Sequence, residues 1–494
     1  MAGHDATRTV GSLPNTTASS PFVPLALTWV TWSLFAASLA PLVVTVLGGG
    51  GWEIPGAIAV DGLTVLLWTV VTFFSGIVQS YSRRYMAGNA RQTRFSATVF
   101  AFTLAVSGLV AADHLALFGV LWLAMGLLMA ELVGTIRGWD QARAAAALAR
   151  RYFLASSAAL AVALATLWWE TGSTTVSGIV AAADSLGGAP WLLAASALVL
   201  AAMIQSALLP FHGWLLSSMT APTPASALMH AGFVNAGGIL LTRFAPVVTV
   251  DPRFMFVIVL VGAASAIGGK LLKSVLTDVK GRLGGSTVGQ MGFMIMQVGL
   301  GFFGAAIAHL ILHGFYKAYQ FLGAGEAVER TSPDATTHAI DPSARVVGVG
   351  VGLLTGLAGG AVFAALTGKG TKVDTGLLLT FFVVFTTYHA ARDAARHASL
   401  PASVRFAAVP IVFFPAIAVY AGVYRAVSEL LAIDPAPTAV TVPHVLVVLG
   451  FTTAYLAIET GVHERSRRLY VALLNAGQPS SDAVLTATEE YNEY

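Results

Sequence analysis

Apolar segments long enough to cross a bilayer follow one another along nearly the whole of this 494-residue chain. A spanning helix needs about 20 mostly apolar residues. By that measure about 14 segments qualify, at 22–48, 62–82, 95–112, 114–136, 152–169, 191–209, 224–247, 254–271, 283–301, 303–324, 346–367, 375–391, 404–430 and 439–460. Composition agrees: 56% of the residues are hydrophobic and 10% are charged, against about 25% charged in a soluble domain. The chain therefore reads as an all-α polytopic membrane protein, and a soluble enzyme is excluded. A net charge of +3 is too small to point to nucleic acid. The sequence holds no Cys, which removes disulfides, iron–sulfur clusters, Cys-ligated zinc and thiolate nucleophiles together.

Polar tails flank the apolar body. Residues 1–21 lack the basic start and short apolar stretch of a cleavable signal. Residues 461–494 are basic at first (Arg465, Arg467, Arg468) and acidic at the end. Cytoplasmic loops are enriched in Lys and Arg. Assigning tails and loops alternately to the two sides puts 21 of the 27 basic residues on the side of the tails and five opposite, with Lys317 inside an apolar segment. Both termini are expected in the cytoplasm.

The organisation predicted is an N-terminal membrane region at 22–94, two five-span groups at 95–247 and 254–391, a C-terminal membrane region at 404–460, and the tail. An odd number of spans inverts the second group relative to the first. The fourth span of each group is predicted to be interrupted, by Pro210 in the first and by Gly359-Gly360 in the second. Matched interrupted helices point to an inverted-repeat transporter. The alternative is that Gly and Pro are simply common in membrane helices.

Ionisable side chains at bilayer depth are costly and usually mark ion or proton paths. His309, His313 and Lys317 recur at every fourth position in AHLILHGFYKAYQFL. They share one helix face over about 12 Å, and Gln320 extends it. Bridged by water, such a row could pass a proton, since His titrates near neutrality and a buried Lys can be drawn toward that range. The alternative is a row of satisfied packing groups. Glu131, in LLMAELVGT, is either a proton site or a snorkelling carboxylate near Arg137. His230 lies on a helix rich in small residues. Gln205 and His212 flank the Pro210 break. Asp278 and Lys280, at a loop-to-helix junction, read as an ion pair or cap, and Asp113 and His114 as caps. Gly50-Gly51 and Gly284-Gly285 lack the context of a phosphate loop, and no metal-ligand spacing or Ser–His–Asp set is present. The reading is translocation or its support, with no covalent chemistry and no cofactor in this chain.

The segments HGWLLSSMTAPTPASALMHAG, LTDVKGRLGGSTVGQMGF and HLILHGFYKAYQFLGAG resemble the proton-conducting antiporter-like membrane subunits of respiratory complex I and of multisubunit sodium/proton antiporters. The likeness runs from about Asp61 to Glu326. FHGWLLSSM, SALMHAGFVNAGGILLTRFAP and LYVALLNAGQP resemble in particular the DabB-type subunits of inorganic-carbon accumulation complexes. Two departures stand out. The family's Glu in the helix DHLALFGVLWLAMG is matched by Leu123, and the Lys of its broken helix is matched by Gln205. His309, His313 and Lys317 are kept, and His230 matches a family His.

The resemblance implies a multi-pass protein of a bacterial inner membrane. It implies a large soluble zinc-binding, carbonic-anhydrase-like partner of DabA type on the cytoplasmic face, with zinc on that partner. Proton flow through this chain would drive carbon dioxide and bicarbonate chemistry there. Two other readings stay open: a cation/proton antiporter or complex I-like pumping subunit, and a non-conducting membrane anchor. The tail, with RRLYVALLNAG as a short amphipathic helix, is expected to dock the partner or to lie on the membrane surface.

Overall fold

The computed structural model describes residues 22–325, 342–397 and 402–478. Expectations for 1–21, for the loop carrying Arg330 and for the acidic end at 479–494 lie outside them. Helices account for the architecture, as they must where no water can serve backbone polar groups. The first long ones are α1 (Phe22–Val46), α2 (Gly62–Tyr85), α3 (Gln92–Ala111), α4 (Leu115–Val133) and α5 (Asp140–Thr171). A short hairpin, β1 (Trp52–Ile54) antiparallel to β2 (Ile58–Val60), with Trp52 opposite Val60, joins α1 to α2.

The next stretch is broken into pieces: α6 (Val176–Ala181), α7 (Gly188–Gln205), α8 (Gly213–Ser217), α9 (Thr223–Ala231), α10 (Ala236–Arg243) and α11 (Ala245–Val248). Long helices resume with α12 (Pro252–Val275), α13 (Val279–Gly299), α14 (Phe303–Leu322), α15 (Pro342–Thr367), α16 (Thr375–His397), α17 (Ala402–Leu431) and α18 (Val442–Glu459). The short α19 (Val462–Arg465) and α20 (Arg467–Gly477) close the described chain.

Among the described residues, 11 helical segments are long and apolar enough to cross a membrane. The expected total of about 14 is not reached by that measure. The spans expected at 283–301, 303–324 and 375–391 coincide with α13, α14 and α16, which are long enough but more polar. Burial sorts the centre from the rim. The segment 223–243 is 89% buried, whereas α1 and α18 are 11% buried and present their apolar side chains outward. Against that central segment packs α14, which also touches α13 and α17. Small residues set the tightest seam: a Cβ on Gly269 of α12 would run into the Gly289 backbone of α13, so these helices touch main chain to main chain.

The predicted interruption at Pro210 is present. Helix α7 ends at Gln205, and the chain turns through Ala207, whose φ of 53° is left-handed, before α8 begins. Such a conformation is costly for a residue with a Cβ and persists only when its surroundings enforce it. Trp214 Nε1 donates to Ile204 O at 2.9 Å, and Leu209 N donates to Ser265 Oγ at 3.2 Å. Protein groups thus serve the unwound backbone, the condition for irregular chain at membrane depth.

Two expectations need correction. Gly359 and Gly360 do not break α15, which runs through both as helix. A Cβ at Gly359 would strike Ile417 of α17, and one at Gly360 would strike Val384 of α16. The pair serves close approach, and it has no gating geometry. Conversely, the span expected as one piece at 224–247 is divided at Gly232, where α9 gives way to a single 3-10 turn at Phe233–Asn235 and then α10.

Candidate functional site

Three elements build the site: the break after α7, the divided α9–α10 segment, and α14. The row predicted on α14 forms. Lys317 has 0% exposure and His313 is buried, while His309 is half-buried. The rings of His309 and His313 lie 6.0 Å apart, one helical turn along the same face. Lys317 Nζ donates to Leu283 O of α13 at 3.0 Å. That carbonyl also accepts from Thr287 Oγ1 at 2.9 Å.

Thr287 Oγ1 lies 2.9 Å from His230 Nδ1. The Thr287 hydroxyl thus lies within hydrogen-bond reach of both the His230 ring and the Leu283 carbonyl and links the two. The His230 ring stacks on Phe321 of α14, 4.2 Å between centroids. His230, Thr287, the Leu283 carbonyl and Lys317 therefore form one connected polar string across α9, α13 and α14. Thr287 and Phe321 were not singled out from sequence, since neither is ionisable.

Several buried polar atoms near this string have no protein partner. Among the described residues they include both ring nitrogens of His313, His230 Nε2, both amide atoms of Gln205, Ser206 Oγ and Asn235 Oδ1. A buried polar atom left bare costs about 1–3 kcal/mol, so the bare ring nitrogens of His313 and His230 mark a place that water can occupy. A Cβ on Gly237 would collide with Ser206 Oγ, so α10 presses on the broken end of α7.

The remaining predicted residues take other positions. Glu131 does not join the buried row. Its carboxylate is 31% exposed and pairs with Arg94 at 2.8 Å and Arg137 at 3.1 Å, so the snorkelling alternative describes it. Asp278 is the N-cap of α13, accepting from Gly281 N at 2.6 Å. Lys280 does not pair with it. Its ammonium donates to Ala221 O at 2.9 Å, beside the segment that joins α8 to α9. His212 Nε2 meets Ala476 O of α20 at 3.0 Å, which ties the break to the C-terminal helix. His114 caps α4, whereas Asp113 accepts from Ser177 at the start of α6. No group of three or more His, Asp or Glu residues among the described ones is arranged to hold a metal ion.

A second charged cluster went unrecognised. Glu459 of α18 lies 2.8 Å from Lys270 of α12, 3.6 Å from Arg392 and 3.9 Å from His389 of α16. An acidic residue inside the last predicted span was the available signal. Outside the spans, Asp61 pairs with Arg243 across the ends of α2 and α10. Burial raises its carboxyl pKa, but the Arg243 charge and bonds from Thr64 outweigh that and hold it below the usual carboxylate value.

This arrangement can now be set beside known proteins. Residues 112–341 match the family described as NADH:quinone oxidoreductase/Mrp antiporter, TM, and residues 47–96 match NADH-Ubiquinone oxidoreductase (complex I), chain 5 N-terminus. A Bacillus anthracis protein named Probable inorganic carbon transporter subunit DabB is 31% identical over 386 residues, 74% of this chain and 75% of that protein. The chain belongs to this antiporter-like membrane-subunit family. A second relative of the same name, from Bacillus subtilis, is 36% identical over 321 residues, 64% of this chain and 63% of the relative. The chain thus spans under two thirds of the length of that relative. In architecture it is similar to a chain of the Mrp complex from Dietzia sp., with a TM-score of 0.57 at 21% identity, covering 93% of this chain and 50% of that one. The protein is a multi-pass membrane subunit of antiporter-like fold.

Proposed function

We propose that this chain is the proton-conducting, energy-coupling subunit of a two-component inorganic-carbon uptake complex. The observation that carries the conducting role is Lys317, wholly buried at bilayer depth and joined through Leu283 O and Thr287 to His230, with His313 and His309 above it. A charge kept there at such a penalty is characteristic of an ion path. The carbon-uptake context is supported by the names of the DabB relatives. Protons would enter from outside, step along His309 and His313 to Lys317, and leave toward the cytoplasm past His230. The partner in this reading is a soluble zinc-binding, carbonic-anhydrase-like subunit, which would hold the metal and make the bicarbonate. The chain itself catalyses no covalent step.

The test is Lys317→Met. Bicarbonate uptake and proton flux into vesicles should fall to background while the subunit still assembles with its partner. Wild-type uptake in that variant would sink the assignment. The match to a family described as including Mrp antiporters supports a second reading, cation/proton exchange. It requires sodium-dependent flux, which proton flux unaltered by sodium would oppose.

A further inference from the structure

The cluster around Glu459 holds more positive charge than it can neutralise internally. Lys270 of α12 and Arg392 of α16 both face this one carboxylate of α18. Lys270 is committed: its ammonium lies 2.8 Å from Glu459 Oε1 and 3.2 Å from the centre of the Tyr455 ring. Arg392 is not. Its guanidinium approaches Glu459 Oε2 only to 3.6 Å. A guanidinium presents five N–H donors in a rigid fork, and among the described residues none of those of Arg392 has an acceptor within hydrogen-bond reach. Its nitrogens are not sealed in, since the side chain is 17% exposed.

His389 stands beside them, with its ring 4.0 Å from Tyr455 and its Nδ1 3.9 Å from Glu459. With that ring neutral, two cations face one carboxylate, and the Lys270–Glu459 contact is itself part-buried. Surplus charge held away from bulk water is costly, and an incoming oxyanion would remove the cost. Phosphate fits the vacant fork through two parallel N–H donors. Lys273, three residues further along α12 and exposed, adds another ammonium at the same helix end.

Position selects the source of the phosphate. Glu459 is the last residue of α18, the helix that presents its apolar side chains outward. Leu449 and Leu456 are exposed on it, so acyl chains have a wall to lie against directly beneath the charges. Ser274 Oγ lies 2.9 Å from His463 Nε2 of α19. The cluster therefore sits at the end of α12 that leads to Lys280 and Arg282. The basic-residue distribution predicts the cytoplasm on that side, where the leaflet carries anionic lipid and basic pockets between membrane helices take its headgroups.

We propose that Lys270 and Arg392 form a phosphate site for an anionic phospholipid of the inner leaflet, at the junction of α12, α16 and α18, with Glu459 as the internal competitor for both cations. This lipid site stands whether or not the chain conducts protons. The test uses the full chain in micelles, offered phosphatidylglycerol, phosphatidylcholine or inorganic phosphate, with bound lipid counted by native mass spectrometry. Phosphatidylglycerol should be retained over phosphatidylcholine, and inorganic phosphate should not displace it. Arg392→Gln should weaken retention about fivefold, the equivalent of about 1 kcal/mol for one basic side chain at a lipid surface, and Arg392→Lys should keep most of it. Glu459→Gln removes the competing carboxylate and should strengthen retention, where a purely structural ion pair predicts no gain. A gain cannot come from misfolding, so this variant decides the matter even if Arg392→Gln folds poorly. Equal retention of the two lipids, displacement by inorganic phosphate, unchanged retention in Arg392→Gln, or no gain in Glu459→Gln would each overturn the lipid site.

Discussion

The two interiors of this membrane body are furnished differently. Around α13 and α14 lie Lys317, three histidines and a chamber of about 300 Å³ with amide and hydroxyl walls. Around α3, α4 and α10 the enclosed space is about 40 Å³, bounded by residues such as Phe102, Phe118, Trp122, Met125 and Leu310. An apolar cavity of that size stays dry. In the sequence of this half the family's Glu is matched by Leu123, and its Lys by Gln205 at the end of α7. The second half keeps a buried Lys beside a polar chamber at mid-depth, while the middle of the first half is packed with aromatic rings and its polar space, lined by Asp61, Asp113 and Arg243, lies at the hairpin end. The contrast teaches that a shared fold need not carry the same traffic in each half, because conduction depends on side chains and hydration that the helices merely position.

That contrast can be broken by experiment. The largest effect after Lys317→Met is expected for His313→Leu, which removes a relay ring between His309 and Lys317. Proton flux should drop by about tenfold or more, with subunit levels unchanged by immunoblot. A flux near wild type would move the route off α14. Next, Gln205→Leu should change flux less than about twofold, since both of its amide atoms are buried without partners and an apolar replacement of similar shape relieves that penalty. Its melting temperature in detergent should hold or rise. If Gln205→Leu abolished flux, the sealed half would conduct after all and the comparison would fail.

The smallest effect is expected at the Asp61–Arg243 pair, on the outer rim between the two halves. Arg243 is 13% exposed and Asp61 49%, so the pair is worth under about 1 kcal/mol. The folded-state carboxyl is held below its usual value. Its stabilisation is therefore present above the unfolded carboxyl range near 4 and is lost as pH falls through the folded value. Asp61→Asn should lower the melting temperature slightly at pH 7, and that deficit should shrink on acidification below pH 4. A deficit that grows in acid would contradict the sign.

Much of this was legible in the sequence because it is local. Apolar runs located the long helices, the four-residue spacing of His309, His313 and Lys317 put them on one face, and Pro210 marked a real break. The failures share a cause: they depend on what lies across the helix interface. Gly359-Gly360 reads as a break when only the pair is visible, but Ile417 and Val384 show that close packing requires it. Glu131 reads as a membrane carboxylate until Arg94, 37 positions earlier, arrives beside it. The division at Gly232 and the meeting of Glu459 with Lys270, 189 residues apart, likewise follow from tertiary arrangement. Thr287, the hydroxyl partner of His230, carries no charge to flag it.

The His212–Ala476 contact has a mechanical side. The unwound stretch after α7 is hooked directly to the end of α20, whose Gly477 rests on Leu272 of α12 and on Leu276 just beyond it. A weight hung on that C-terminal arm would tug at the least regular piece of backbone in the bilayer through a single imidazole. The same hook runs in reverse: a shift in the unwound stretch would swing the arm, much as a latch reports the position of a door.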